Sequence, residues 1–133
     1  LANEALTRSL ENNQLLYQTE KEIIGFDHSR VSGALLHEWK LPHSLQEPVK
    51  YHHEPEKAIH YPDSAAILHV ADVITNALQF GTSGERLVPP MHEAAWNQIN
   101  LPTGFLANII NQIDQQYESA LELFLGGVEY EVA

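Results

Sequence analysis

Residues 62–80 read PDSAAILHVADVITNALQF. Pro62, Asp63 and Ser64 open a helix: a fixed proline φ suits the first turn, and short polar side chains favour helix starts. From there Ala66, Ile67, Val70, Ala71, Ile74, Ala77 and Leu78 recur at threes and fours. The spacing predicts a helix to Phe80 with a broad apolar band, and Gly81 stands where a left-handed C-terminal cap is wanted. A helix with that much apolar surface must be covered by neighbours, so it is expected at the centre of the fold.

Working outward, the same period predicts six further helices. Ala2, Ala5, Leu6 and Leu10 give one from Ala2 to about Gln14. Thr19 and Glu22 have the spacing of a capping box, so a second helix is expected to begin near Thr19 and to end at Gly25. Asp27 is a suitable N-cap for a third, from His28 to about Lys40, with Val31, Ala34, Leu35 and Trp39 on one face. Pro42 opens a fourth that stops at His52 and His53, before Pro55; the stretch to Tyr61 reads as a loop. Met91 to Ile99 carries Trp96 on a short helix, and Pro102 introduces a long one to Leu125, terminated by Gly126 and Gly127. Residues 128–133 read as a short extended tail. Trp39 and Trp96 are expected as core or inter-helix anchors. With no alternation of strands and helices, the expected architecture is all-α, a compact bundle of about six or seven helices forming one domain over residues 1–133.

The chain holds 18 acidic and 7 basic residues, a net charge of −11 with His neutral, and nothing basic follows Arg86. That surface repels a phosphate backbone, which disfavours nucleic acid as a partner. No apolar run has the length of a membrane span and no signal peptide is evident, so no membrane partner and a cytoplasmic location are expected. The absence of cysteine excludes disulfides, thiolate metal sites and a Cys nucleophile. His and carboxylate are left as the strong metal ligands, and there are eight His.

Four ionisable residues stand out: His28 at a helix start, His52 and His53 at a helix end, and Asp72 within the most apolar helix. A carboxylate between Val70, Ala71, Val73 and Ile74 could face solvent, but on a helix apolar nearly all round it is expected to point inward, where it needs a partner. A divalent cation held jointly with imidazoles would serve, as would a buried His or an amide donor. His69, one turn before Asp72, shares its face. The competing reading is structural, with the histidines packed under loops and Asp72 satisfied by a backbone or side-chain donor. His37, His43, His60 and His92 read as surface residues.

The order of motifs adds to this. EIIGFDHSRVSGALLHEWKLP at Glu22–Pro42, VKYHHEP at Val49–Pro55 and AAILHVADVITNAL at Ala65–Leu78 together resemble the HDOD domain, a relative of the HD phosphohydrolases. The resemblance rests on His28 with Gly33, the Trp39, Leu41, Pro42 ending, the double His, and the Ala71, Asp72 pair. It implies an HD-like helical fold truncated on its N-terminal side. More distantly the chain is similar to HD-GYP phosphodiesterases, where a helix-start His, a double His before a YP loop and a late Asp contribute to a metal cluster; His28, His52, His53 and Asp72 match those positions. There are departures. The sequence has no His-Asp dipeptide, so the dyad that names the superfamily would precede Leu1, and the loop EPEKAIHYP lacks the glycines of the GYP motif.

The resemblance implies a bacterial signal-transduction output module without catalytic activity of its own, binding a partner protein, another signalling domain or a small ligand. His28, His52, His53 and Asp72 are its expected metal ligands, a partial site for a divalent ion, and a homodimer through faces left open by truncation is a further expectation. The alternative it implies is a metal-dependent HD-type phosphohydrolase or cyclic-dinucleotide phosphodiesterase, its dyad upstream of this chain.

Overall fold

All seven periodic segments are helices. The computed structural model describes residues 1–79, 84–102 and 104–125. Its elements are α1 (Ala2–Asn12), α2 (Leu16–Ile24), α3 (His28–Glu38), α4 (His43–Tyr51), α5 (Pro62–Leu78), α6 (Glu93–Ile99) and α7 (Phe105–Leu125), with one 3-10 turn at Pro55–Lys57. There is no strand among the described residues, so the fold class is all-α. By internal packing the chain divides into two units, Leu1–Asn100 and Leu101–Ala133. No helix among the described residues is long and apolar enough to cross a membrane.

In the first unit α1 pairs with α2 and α3 with α4, while α5 packs against α4, the 3-10 turn and α6. The α5 contacts explain its broad apolar band: Ala65, Ala66, His69, Val70 and Val73 are buried on it. It ends at Leu78 with Gln79 in the left-handed cap conformation, φ 57°. Gly81, Gly126, Gly127 and the 128–133 tail lie outside the described residues. In the second unit α7 is a single helix of 21 residues with Phe105 and Phe124 exposed.

Three local expectations are corrected. The second helix begins at Leu16, not Thr19, and the Leu16 amide is capped by the Glu85 carboxylate at 2.7 Å. That cap comes from a distant part of the chain and leaves Thr19 buried inside the helix, its hydroxyl donating to the Leu15 carbonyl. The segment after α4 is not simply loop, since Pro55–Lys57 forms the 3-10 turn.

The third correction concerns α3. Val31, Leu35 and Trp39, the expected core stripe, are exposed, Trp39 by 64%. The buried face carries Ser29 and Gly33 instead. The reason is the separation of α3 from α4. A Cβ built on Gly33 would lie 2.8 Å from Lys50 Cβ, closer than two carbon atoms can sit. Small residues one turn apart let the helices approach, and the larger apolar side chains of α3 fall on the far side.

Gly33→Ala should therefore destabilise the protein by about 1–3 kcal/mol in urea denaturation, as overpacking does. On helix propensity alone the same change would stabilise by roughly 1 kcal/mol, so the sign of the shift decides whether close approach governs this position.

Candidate metal centre

The close contact of α3 and α4 brings the start of one helix beside the end of the other. Asp27 is the N-cap of α3, its Oδ1 accepting from the Arg30 amide at 3.0 Å. The Ser29 hydroxyl donates to the same oxygen at 2.6 Å and lies 3.1 Å from the Lys50 carbonyl, joining α3 to the last turn of α4. His28 is thereby set at the first turn of α3. His52 is the C-cap of α4, and His53 follows as the chain turns toward Pro55.

The three imidazoles converge. One ring nitrogen from each of His28, His52 and His53 can be chosen so that all lie within 4.8 Å of one another. His28 and His53 approach most closely, Nε2 to Nε2, at 2.9 Å. Two imidazole nitrogens on one tetrahedral zinc stand about 3.4 Å apart, so modest side-chain adjustment would bring this donor set onto a cation. His28 is exposed, His52 half-buried and His53 buried, which leaves one side of the cluster open to solvent.

Two of the rings are oriented by partners behind them. Nδ1 of His28 donates to Glu20 Oε2 at 2.7 Å, and the His28 amide donates to the same oxygen at 2.9 Å. Nδ1 of His52 donates to the Val49 carbonyl at 2.7 Å. With Nδ1 carrying the proton in both, each Nε2 offers a lone pair, the arrangement by which carboxylates and carbonyls prepare metal-binding histidines. The His53 ring is stacked on Tyr17, centroids 4.3 Å apart and planes at 13°. Burial, and then the neighbouring His52 and His28, push its pKa down to about 3. His53 is therefore neutral at physiological pH, the form that ligates metals.

Asp72, the fourth sequence candidate, is not in this group. Its Oδ1 accepts from the Asn76 side chain at 3.0 Å, and its Oδ2 is buried with no hydrogen-bond partner among the described residues. Asp72 instead acts on His69, whose pKa is lowered mainly by burial while the Asp72 charge opposes the shift. His69 links two segments: Nδ1 donates to the His52 carbonyl at 2.8 Å, and Nε2 accepts from the His92 amide at 3.0 Å. Sequence reading singled out His69 only as a neighbour of Asp72. It missed Glu20 and Tyr17 altogether. Their spacing of three on α2 puts them on one face, but nothing local shows that this face meets His28 and His53.

Two buried carboxylates hold the frame. Glu47 of α4 accepts from three successive amides, Ile59, His60 and Tyr61, at 3.1, 2.9 and 2.6 Å, and so fixes the approach to α5. Asp27 adds an ion pair with Lys21 at 3.1 Å.

With this geometry in hand, residues 1–55 of the chain match the family model described as HDOD domain. The resemblance is thus shown over fewer than half of the 133 residues, a stretch that includes all three clustered histidines. It supports an HD-related signalling module in general. Searches of curated proteins and of solved structures gave no significant match.

The buried carboxylates set an acid limit. For Asp27, burial raises the pKa, but the Ser29 hydroxyl, the Arg30 amide and Lys21 outweigh it and bring the value from 3.8 to about 2. For Glu47, burial likewise raises it and the three loop amides prevail. Both folded values lie below the unfolded ones, so the unfolded chain takes up more protons and this stability is lost as pH falls from about 4 toward 2. Circular-dichroism melts from pH 7 to pH 2 should show the steepest loss in that window, and Asp27→Asn should flatten it.

Proposed function

We propose that this chain is part of a bacterial signal-transduction output module of the HDOD type, which binds a first-row divalent cation through His28, His52 and His53 and acts on a protein partner without catalytic turnover. The observation that carries the proposal is the convergence of three imidazoles, two held with Nε2 turned outward by Glu20 and the Val49 carbonyl and the third kept neutral by burial. An imidazole nitrogen set suits zinc and its first-row neighbours better than magnesium or calcium. Asp72 contributes from outside this set, through His69 and the His52 backbone.

The regulatory reading is supported by what surrounds the cluster. Phosphoryl transfer needs groups that neutralise charge on the substrate. Lys21, which lies over Tyr17, is held by Asp27 and Glu54, each at 3.1 Å. A cation on three helix-end ligands would instead tie α3 to the end of α4, and through His52 and His69 to the segment before α6.

One observation favours the alternative, a metal-dependent phosphohydrolase. The exposed His28 side leaves room for a fourth ligand, as catalytic zinc sites keep an open position.

Metal analysis separates the readings from the structural one. Protein stripped with EDTA and titrated with Zn²⁺ or Mn²⁺ should bind one ion per chain, and His53→Ala should abolish binding. Glu20→Gln should weaken it about ten- to a hundredfold while leaving the helical spectrum intact. Failure of the parent protein to bind either ion would leave the cluster a purely structural feature. Hydrolysis of a chromogenic phosphodiester or a cyclic dinucleotide by the Mn²⁺-loaded protein, lost in His53→Ala, would replace the regulatory reading by the enzymatic one.

A further inference from the structure

A separate cleft of about 650 Å³ opens between α3 and α4. Its volume falls in the range of small-ligand sites. Arg30 and His37 line it from α3, His43 and Lys50 from α4, and His60 from the loop before α5. None of these belongs to the imidazole cluster.

The lining is unusual for this chain. The protein carries 18 acidic residues against 7 Lys and Arg, yet two of those 7 and three of its 8 His face one concavity. Among the described residues neither Arg30 nor Lys50 is in an ion pair; Lys50 Nζ lies 5.1 Å from the Tyr51 ring centre. Lys21 and Lys57, by contrast, are both neutralised by carboxylates.

Two carboxylates also line the cleft, Glu38 and Glu47. Glu47 is occupied by its three amide donors, which leaves Glu38, exposed at the end of α3, as the opposing charge. The same amides hold His60 at the rim, where its ring meets that of His43 edge-on at 5.4 Å. A guanidinium offers paired donors that match phosphoryl oxygens, and an ammonium adds a compact charge.

We propose that this cleft binds a small phosphorylated ligand of mononucleotide size, its phosphoryl oxygens held by Arg30 and Lys50 and its remainder lying against His37, His43 and His60. The site uses none of the cluster ligands His28, His52 and His53. It gives the module a place to receive a metabolite signal on the helix pair that also positions the imidazoles.

The test uses the full chain, treated with EDTA so that no cation at the cluster can bridge to phosphate, and titrated calorimetrically with pyrophosphate and with AMP. Saturable binding is expected, with backbone amide shifts in NMR concentrated at Arg30, His37, Lys50 and His60. Arg30→Gln and Lys50→Gln should each weaken it about tenfold or more, and Arg8→Gln, which removes a cation from α1, should leave it unchanged. Each variant is checked for its helical spectrum, and Arg30, being exposed, gives a reading even if Lys50→Gln unfolds. Absence of saturation by either probe overturns the proposal. So does an equal loss in Arg8→Gln, which would mean diffuse charge attraction, or a shift map centred on the imidazole cluster.

Discussion

The approach of α3 to α4 at Gly33 is the constraint on which the site depends. A glycine opposite Lys50 and a serine one turn earlier allow two antiparallel helices to pack at a distance that a larger pair would forbid. The pairing places the first residue of α3 beside the last turn of α4. His28 therefore meets His52 and His53, and the same two helices wall the cleft that opens between them. The cost is visible on the opposite side of α3, where Val31, Leu35 and Trp39 remain in solvent.

Charge is used in this fold chiefly as a fastener. Asp27 and Glu47 are buried carboxylates in a strongly acidic chain, and each is retained because several donors surround it: Lys21, Ser29 and the Arg30 amide for one, three consecutive loop amides for the other. Buried charge so paired is tolerable, and removal of its partners is not. Each precedes a clustered histidine in sequence, Asp27 just before His28 and Glu47 five residues before His52. They anchor the polypeptide where the histidines must be held still.

The cluster itself is built from imidazoles. Its rings are set by a carboxylate, a carbonyl and a stacked tyrosine. That environment favours a cation over an anion at the point where the nitrogens meet. The cleft between the same helices has the opposite character. Two chemically distinct ligand environments on one helix pair provide a physical basis for linking them, since whatever alters the spacing of α3 and α4 alters both.

Much of this was legible from local pattern. The period of apolar residues marks all seven helices, because helix formation depends on neighbours three and four positions away. Asp27 as a cap, Gly25 as a stop and the end of α4 at the double histidine follow from the same short-range chemistry. His28, His52 and His53 were recognisable as candidates from their places at helix ends and from their order. What tertiary structure alone decided was which faces meet. It buried Ser29 and Gly33 in place of the larger side chains of α3, supplied Glu85 as a cap for α2, set Glu20 and Tyr17 behind two of the histidines, and left Asp72 with Asn76 and His69. Those outcomes depend on groups far apart in the chain brought together by close packing, and no spacing within a single helix encodes them.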